Sequence, residues 1–400
     1  EREEVVIGGM RELCETMLQV SGDWTIEYEG GSKPEWIKSA PQGGNKGSVV
    51  LSFKLSPNQE MTQRTCVVLI RCGGMTKRFT IVQLPVLQRE RDSLVLQTIY
   101  QAATSHGTTT WDFNQPISTW EGVTLTDGRV TYLRFLRWTF NEIPAALGKL
   151  DVLEDMTFAY CQFSDPMLPD EVGNWTALKV FTCIGEQSVH FPETVKGWNN
   201  LGTLAMSGDV FQDMTLKGAK LEEVLCTLPT LHTISFMHTD LKELPEALSS
   251  SKVKIITVEY AELSTIPESL GEMPNLTYLT IRYCPIKGDI PGKLFDAPLL
   301  KSCNLSHNKF TGSIPDNVFT APNLYELILA DNNLEGDLSV AIVDSGIQMF
   351  DVCLNKLGGQ GKVLDERIKG DVRFGDARAW NGLIQICMQQ DGYGWSNCDK

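Results

Sequence analysis

The sequence predicts an α/β solenoid, built on a parallel sheet with one strand per repeat and preceded by a small all-β domain. An apolar pattern recurs at intervals of 22 to 30 residues from Val130 onward. Short alternating segments separated by Gly, Pro and Asn occupy residues 1–86. Hydrophobic residues make up 42% of the 400 positions, enough for a core in each part.

The repeat places apolar residues at positions i, i+3, i+5 and i+10 of ten successive units. Of these 40 positions only Ser188 is not apolar, whereas composition alone would give about 17. Positions i+3 and i+5 share one face of a strand, so stacked units bury a continuous core that one unit could not form. The units begin at Val130, Leu153, Leu178, Leu201, Leu231, Val253, Leu276, Leu300, Leu324 and Ile347.

This pattern resembles the leucine-rich repeat family. Ile286–Pro291 and Phe310–Pro315 resemble the L-x-G-x-I-P tail of its plant-type subclass, and Asn308, Asn332 and Asn355 occupy the family's i+8 asparagine position. The resemblance implies that these asparagines hydrogen-bond the turn backbone. Because the earlier units lack this asparagine, we expect local distortion there. The 30-residue interval after Leu201 is expected to hold an extra loop.

A solenoid needs caps at both ends, because its terminal strands would otherwise expose the core. We expect a helix starting at Asp92-Ser93 that turns Leu96, Ile99 and Tyr100 to one side. Trp120–Val123 resembles the W-x-G-V segment of the plant-type N-terminal cap. Threonines stand where that cap usually has cysteines, so this one must hold by packing. The predicted organisation is 1–86 β-sandwich, 87–129 helical cap, 130–359 ten repeats and 360–400 C-terminal cap.

The first 86 residues contain four segments with the pattern of β-strands: 24–28, 49–55, 66–72 and 79–83. Short strands at this spacing favour a sandwich. The order of Trp24, Trp36-Ile37, Asn58, Arg64 and Val82-Gln83 resembles the Bacteroidetes-associated carbohydrate-binding often-N-terminal (BACON) domain over residues 20–84. The resemblance implies an Ig-like sandwich on a secreted or surface protein of a bacterium, with carbohydrate binding as the family's suggested role.

Charge and hydropathy exclude several classes of partner. The formal net charge of −15 argues against nucleic acid and anionic membranes. The longest apolar runs, such as Cys66–Ile70, are far shorter than the ~20 residues that span a bilayer. Glu1–Glu4 is no signal peptide, and we expect that one has been removed from a secreted or outer-membrane-anchored protein facing the exterior.

The sequence carries no recognisable catalytic motif. It lacks HExxH, GxSxG, a Walker A loop, GxGxxG and paired CxxC. His238 and His307 both occupy position i+7 but stand three strand spacings apart, about 14 Å, too far to share a zinc ion. We therefore expect no catalytic residue, no cofactor and no metal site.

Seven of the eleven cysteines fall into two groups. Those at repeat or strand-core positions are expected to be buried free thiols: Cys66, Cys161, Cys183, Cys284 and Cys303. Cys387 and Cys398 lie outside the periodic pattern, and we expect a disulfide between them that closes the last cap.

The outward strand positions i+2, i+4, i+6 and i+7 predict the ligand surface, on the concave side. Position i+4 is mostly small and polar, whereas i+7 is aromatic in four successive repeats. Tyr and Arg suit interface hot spots, but aromatic side chains also brace neighbouring strands, and both interpretations stay open. The expected function is non-catalytic recognition of a protein or peptide, with glycan binding through either domain as the alternative. The candidate ligand-binding residues are His238, Tyr260, Tyr278, Arg282, Tyr283 and His307.

Overall fold

The computed structural model describes residues 4–9, 11–58, 62–84, 88–208, 228–359, 362–369, 384–386 and 389–395. The chain divides into two compact units, one of Glu1–Leu96 with Asp127–Arg129 and one of Gln97–Thr126 with Val130–Lys400. Among the described residues, no helix is both long and apolar enough to cross a membrane.

The first unit contains a β-sandwich, as the sequence predicted. A five-stranded sheet in the order β1-β8-β7-β3-β5 faces a three-stranded sheet in the order β2-β6-β4. Alternate residues point inward, so Leu51, Phe53 and Leu55 of β6 are buried while Ser52 and Lys54 are exposed. The strands are β1 Glu4–Ile7, β2 Leu13–Val20, β3 Trp24–Tyr28, β4 Ile37–Ser39, β5 Gly43–Gly44, β6 Gly47–Leu55, β7 Arg64–Cys72 and β8 Met75–Gln83.

Three of the residues that carried the domain resemblance, Trp36, Arg64 and Gln83, lie in one network in this sandwich. The buried Gln83 side chain donates to the carbonyls of Gly9, Arg11 and Ser56, and its Oε1 accepts from Arg64 Nε at 2.9 Å and Nη2 at 2.8 Å. The Arg64 guanidinium lies 4.7 Å from the Trp36 ring centroid. These side chains hold the strand ends together, which gives them a structural role.

The second unit is the solenoid. Its main sheet has the order β10-β11-β13-β15-β16-β17-β18-β19-β21-β23-β25-β27, and successive members from β11 onward pair in parallel. The strands are β9 Ala103–Ser105, β10 Val123–Thr126, β11 Arg129–Leu136, β12 Thr139–Glu142, β13 Asp155–Ala159, β14 Gln162–Asp165, β15 Val180–Ile184, β16 Thr203–Ser207, β17 Thr233–Thr239, β18 Ile255–Ala261, β19 Tyr278–Arg282, β20 Lys287–Asp289, β21 Ser302–Asn304, β22 Lys309–Thr311, β23 Glu326–Ile328, β24 Glu335–Gly336, β25 Met349–Asp351, β26 Lys356–Leu357 and β27 Ile384–Gln385.

The core of the solenoid lies where the periodicity placed it. Every residue at positions i, i+3 and i+5 of the ten repeats is at most 1% exposed. The distortion expected in the early repeats is not found in the main sheet, where β11 to β17 pair in unbroken register, but the pairing of β12 with β9 shifts register between Thr139 and Phe140. A different side chain replaces the missing asparagine in one of them, since Gln187 Oε1 accepts from the Phe163 backbone N–H at 2.7 Å.

Short 3₁₀ helices follow the turns, and proline starts most of them. In seven repeats a proline with φ between −62° and −75° precedes the helix, as Pro144 does before Ala145–Lys149. The pyrrolidine ring fixes this φ, which prepares the chain for the helix. The 3₁₀ helices are Ile117–Thr119, Ala145–Lys149, Asp170–Asn174, Glu193–Gly197, Glu246–Ser250, Glu268–Glu272, Gly292–Asp296, Asp316–Thr320 and Val340–Asp344.

The helix expected from Asp92 begins earlier, so that boundary was wrong. Helix α1 spans Gln88–Ala102. Asp92 is fully buried inside it, and its Oδ2 lies 2.9 Å from Arg129 Nε. A buried carboxylate needs a charged partner, and this ion pair explains why Asp92 is not a capping residue at the helix start.

The cap before the first repeat holds by aromatic packing. Trp111 stacks on Trp120 with ring centroids 5.1 Å apart, and both indole N–H groups donate to backbone carbonyls, of Glu121 and Asp112 respectively. Trp138 packs against Trp111 at 5.0 Å. Trp111 and Trp120 thus bury a large apolar area while their N–H groups stay satisfied, which suits a cap that lacks cysteines.

The asparagine positions behave as the repeat family implied. Asn332 donates from Nδ2 to the carbonyls of Leu305 and Leu329, and its Oδ1 accepts from the Phe310 N–H. Asn355 makes the equivalent bonds one repeat later. One repeat earlier, Asn308 donates to the carbonyls of Ile281 and Leu305, while its Oδ1 accepts from the Cys284 N–H. We call these three residues the asparagine ladder.

The last cap continues the sheet beyond the tenth repeat. Strand β27 pairs with β25, and Gln389 donates to the carbonyls of Val352 and Ile386 as a ladder asparagine would. Helix α2, Glu366–Lys369, precedes it. The disulfide expected between Cys387 and Cys398 lies outside the described residues, as does most of the extra loop expected after Leu201.

The five cysteines expected to be buried thiols are buried and free, which confirms that interpretation. Burial raises the pKa of Cys66, Cys161 and Cys284 to about 11 and that of Cys183 to about 12. At pH 8 a thiol of pKa 11 is ionised in about one molecule in a thousand.

We therefore expect brief iodoacetamide treatment of the native protein at pH 8 to spare these cysteines. Among the cysteines that the structure describes, Cys72, which is half-exposed, should react first. Peptide mass spectrometry measures the modification, and the same treatment in urea should label them all. Rapid native labelling of Cys161 or Cys284 would contradict the prediction.

Candidate functional site

The open face of the main sheet, formed by positions i+2, i+4 and i+6, is the surface on which the predicted site lies. The strand register aligns each position into a column, so Thr257 pairs with Thr280 and Thr280 with Asn304. The side chains of the i+4 column are half-buried and mostly small or polar, so they form a shallow polar strip along the sheet. We call this strip the floor of the open face. Bulkier side chains stand at its edges.

Position i+7, at or near the C-terminal end of each main-sheet strand, has a left-handed backbone in nine of the ten repeats. Gly185, with φ 131°, is the one glycine among these nine, and the exception is Gly208 in the fourth repeat. Left-handed conformations cost ordinary residues about 1–2 kcal/mol, so neighbouring contacts must offset this cost. The non-glycine members, with φ from 48° to 58°, are Arg137, Tyr160, His238, Tyr260, Tyr283, His307, Asp331 and Leu354.

Four of these side chains form one continuous stack of rings. Centroids lie 4.4 Å apart between His238 and Tyr260, 4.3 Å between Tyr260 and Tyr283, and 4.2 Å between Tyr283 and His307. The planes are parallel to within 6°. We call these four residues the ring stack. His238 and His307 stand at its opposite ends, with two rings between them.

Stacking covers both faces of each tyrosine ring but leaves the ring edges in solvent. Tyr260 is 40% exposed and Tyr283 is 36% exposed. The pKa of the Tyr260 phenol is raised, first by loss of hydration and then by the Tyr283 hydroxyl beside it. The stack therefore presents a row of ring edges and phenol hydroxyls.

An ion pair supports the stack from the sheet. Arg282 Nε lies 3.0 Å from Glu259 Oε1, and its guanidinium lies 5.5 Å from the centroid of the Tyr283 ring. The hydrogen bond to Glu259, which is 7% exposed, raises the pKa of Arg282 above its already high ordinary value. The arginine is therefore charged and held against the ring.

The structure brings together five of the six candidate residues and separates the sixth. Tyr278 lies at the start of β19, about 13 Å along the strand from Arg282. It is 39% exposed at the opposite edge of the open face. The candidates thus form two edges with the polar floor between them.

Two further residues belong to this site, although the sequence-based set omitted them. Glu259 holds Arg282, and Asp331 Oδ2 lies 2.8 Å from His307 Nδ1. Asp331 follows the four stacked residues in the same i+7 column, and Glu259 precedes Arg282 in the i+6 column. The column alignment was therefore the signal that could have identified both.

The sandwich has a groove of its own. Its volume is about 1250 Å³ including the open mouth, and it is lined by Thr25–Tyr28, Lys33 and Lys38–Gln42. Ile26 and Tyr28 pack only partly against the core, so their outer portions form part of the wall. Among the described residues, no group of three or more His, Cys, Asp or Glu side chains could hold a metal ion.

Comparisons with known proteins give the same two architectures. A family model named BACON and described as "Putative binding domain, N-terminal" matches residues 24–84, and a Leucine Rich Repeat model matches residues 299–320. A search of curated proteins finds no match.

Several solved structures share the solenoid. The leucine-rich-repeat ectodomain of the membrane receptor kinase GASSHO1/SCHENGEN3 from Arabidopsis thaliana, in complex with CASPARIAN STRIP INTEGRITY FACTOR 2, is 20% identical with a TM-score of 0.54. The match covers 70% of this chain and 34% of that ectodomain, so this chain spans about a third of it.

Two others have the same TM-score of 0.54. The Arabidopsis HAESA ectodomain, in complex with an IDA peptide hormone, is 18% identical over 70% of this chain and 47% of that one. A plant ice-binding protein is 19% identical over 78% of this chain and 99% of that one. At these identities the likeness concerns the fold. Residues 24–84 therefore match the BACON domain model, residues 299–320 match a leucine-rich repeat, and the second unit has the fold of leucine-rich repeat solenoids.

Proposed function

We propose that this protein is a non-catalytic recognition module that binds a protein or peptide on the open face of its solenoid. The observation that carries the proposal is the ring stack, an exposed aromatic row beside a charged arginine. Aromatic and arginine side chains with restricted rotamers lose little entropy on binding. The HAESA ectodomain of the same fold holds a peptide hormone ligand, which supports the same class of partner.

The geometry favours a peptide over a stacked sugar at this site. Sugars bind aromatic side chains through the ring faces, and both faces of Tyr260 and Tyr283 are occupied. An extended chain can instead lie on the floor between Tyr278 and the ring stack. Thr257, Thr280 and Asn304 there offer hydrogen bonds to its backbone.

The proposed location is the cell exterior, as a secreted or outer-membrane-anchored protein. The BACON match and the ectodomain likenesses support it. Detection of the chain on intact cells by protease shaving would test this location.

The test of the site is the double variant Tyr260→Ala/Tyr283→Ala. We expect it to weaken binding by about 2–4 kcal/mol, because hot-spot aromatics contribute at that level. Peptides selected from a random display library on the full chain serve as probes, and calorimetry measures their affinity. The unfolding midpoint should stay nearly unchanged, since both rings are exposed.

Tyr160→Ala is the matched control. Tyr160 has the same left-handed i+7 backbone and is 45% exposed, but it is not part of the ring stack. We expect little change in affinity from it. Equal affinity of the double variant and the native protein would refute the site. A large loss of stability in the double variant would instead favour the interpretation that these aromatic side chains support neighbouring strands.

Glycan binding is the second candidate function, and the groove of the sandwich favours it. Tyr28, Lys33 and Lys38 combine an aromatic surface with hydrogen-bond donors there. A glycan array probed with the full chain distinguishes the two functions. Glycan signal without any selected peptide would replace the first proposal by the second.

A further inference from the structure

The edge of the open face at which the strands begin carries basic side chains. In repeats five to eight, position i+1 holds His232, Lys254, Thr277 and Lys301, and Tyr278 follows at i+2. Both lysines are exposed, and Tyr278 is 39% exposed. We call Lys254, Tyr278 and Lys301 the lysine edge. It lies across the floor from the ring stack.

Backbone hydrogen bonds fix the spacing within the lysine edge. The Lys254 carbonyl accepts from the N–H groups of Thr277 at 2.8 Å and Tyr278 at 3.0 Å. The Thr277 carbonyl in turn accepts from the Lys301 N–H at 2.9 Å. The backbones of the two lysines are therefore two strand spacings apart, about 10 Å, with the repeat of Tyr278 between them.

The acidic side chains of the neighbouring segments have other partners. Glu268 Oε2 lies 2.8 Å from Lys293 Nζ, and Glu272 of the same 3₁₀ helix also lies near that lysine. Glu326, in the ninth repeat, accepts a hydrogen bond from Ser302 Oγ. Within the described part of the chain, neither lysine of the lysine edge forms an ion pair.

The central part of the open face is cationic, although the whole chain is acidic. At positions i+1, i+2, i+4, i+6 and i+7 of repeats five to eight, the formal charges are three cations, Lys254, Arg282 and Lys301, and one anion, Glu259. Three minus one gives +2 on this face, against −15 for the chain. Because Glu259 already pairs with Arg282, the charge left for a ligand is that of the two lysines. Such a face attracts acidic partners and disfavours basic ones.

We propose that the peptide bound on the open face is acidic, and that two of its carboxylate side chains pair with Lys254 and Lys301 on either side of Tyr278. The inference rests on the proposed function, because it assumes a peptide on the floor. An extended chain advances about 3.3 Å per residue, so carboxylates about three positions apart match the distance between the two lysines. The lysine edge then selects the charge of the ligand, whereas the ring stack supplies aromatic contact area. This arrangement gives Tyr278 a role apart from the other five candidate residues.

The test uses the double variant Lys254→Glu/Lys301→Glu of the full chain. Peptides selected from a random display library on the native protein should be enriched in Asp and Glu. We expect the variant to weaken their binding about 10-fold at low salt, because two attractive pairs become repulsive. At about 0.5 M salt the loss should fall below about 3-fold, since salt screens exposed charges. Selected peptides without acidic residues would overturn the proposal.

Lys287→Glu/Lys309→Glu is the matched control. These exposed lysines pair in register on β20 and β22, which form a separate two-stranded sheet. The control changes the net charge of the chain by the same amount. We expect it to alter affinity less than about 2-fold, because the charges lie off the open face. Equal effects of the two double variants would overturn the proposal.

An exchange of charges tests the pairing itself. A selected peptide whose acidic residues are replaced by lysine should lose affinity for the native protein and regain it for Lys254→Glu/Lys301→Glu. Failure of the variant to prefer the lysine peptide would contradict direct pairing.

A short probe makes the test independent of the peptide function. Acetyl-Glu-Gly-Gly-Glu-amide should shift the Tyr278 ring resonances in NMR spectra of the full chain at millimolar concentration, and acetyl-Lys-Gly-Gly-Lys-amide should not. Equal shifts from both probes, or none from either, would overturn the lysine edge as a site. Failure of every library peptide to bind, with the acidic probe still shifting Tyr278, would remove the proposed function and leave this site standing. Peptides that depend on Tyr260 and Tyr283 but not on the two lysines would do the reverse.

Discussion

Replacing Asn332 by alanine is expected to lower the free energy of unfolding by about 2–3 kcal/mol, because it leaves the buried Phe310 N–H without a partner and removes one of the two amide donors to each of two buried carbonyls. Asn332 is 2% exposed, and it serves the Phe310 N–H and the carbonyls of Leu305 and Leu329 at 3.0–3.1 Å. In the variant, the Phe310 N–H retains most of its desolvation penalty, whereas the two carbonyls still accept from Asn308 and Asn355 respectively. Urea unfolding, followed by circular dichroism, measures the loss.

Asn323→Ala is the control for this prediction. Asn323 is exposed and donates one hydrogen bond, to the Pro298 carbonyl. Water can replace that bond, so we expect a change below about 1 kcal/mol. Equal destabilisation by the two variants would show that the asparagine ladder has no special role.

Replacing Trp138 by alanine is also expected to lower the free energy of unfolding, by about 3–5 kcal/mol. The ring is fully buried, and it packs against Phe135 at 4.6 Å, His106 at 4.8 Å and Trp111 at 5.0 Å. The variant would leave a cavity between the cap and the first repeat. Hydrogen exchange should rise first in β11 and β13, since a solenoid transmits damage from neighbour to neighbour.

Trp138→Phe distinguishes packing from polarity. The Trp138 Nε1 has no hydrogen-bond partner among the described residues. Phenylalanine fills part of the same space and removes this buried N–H, whose penalty is about 1–3 kcal/mol. The lost packing destabilises the protein and the removal of the unpaired N–H stabilises it, so we expect the free energy of unfolding to change by less than about 1 kcal/mol. A loss as large as that of alanine would mean that the N–H is satisfied in solution.

The fold was predictable because the solenoid core repeats a simple rule. Alternation within a strand places i+3 and i+5 on one face, and all ten members at i+3 are fully buried. The sandwich strands followed from the same alternation. The start of helix α1 was predicted too far along the chain, because aspartate is a common residue at the N-cap of a helix. The sequence could not show that Asp92 instead forms an ion pair with Arg129 inside the helix.

The candidate site was predictable only in part. Column alignment placed His238, Tyr260, Tyr283 and His307 in one row, but it could not show whether their rings would stack. The stack depends on the left-handed backbone at i+7, which a sequence reveals only where glycine stands, as at Gly185. Tyr278 shared the repeat of Tyr283 but not its edge, because the strand between them is extended.

The left-handed backbone at i+7 restricts how this surface can change over evolutionary time. At φ near 55°, β-branched residues are strongly disfavoured, whereas Gly, Asn, Asp and His are tolerated best. A change of binding partner can therefore use only a restricted set of amino-acid types along that edge. Substitutions at Tyr278, Thr280 and the other extended strand positions meet no such backbone restriction. Among related chains, diversity in partner choice is expected to accumulate across the strands, while the i+7 edge varies within a few residue types.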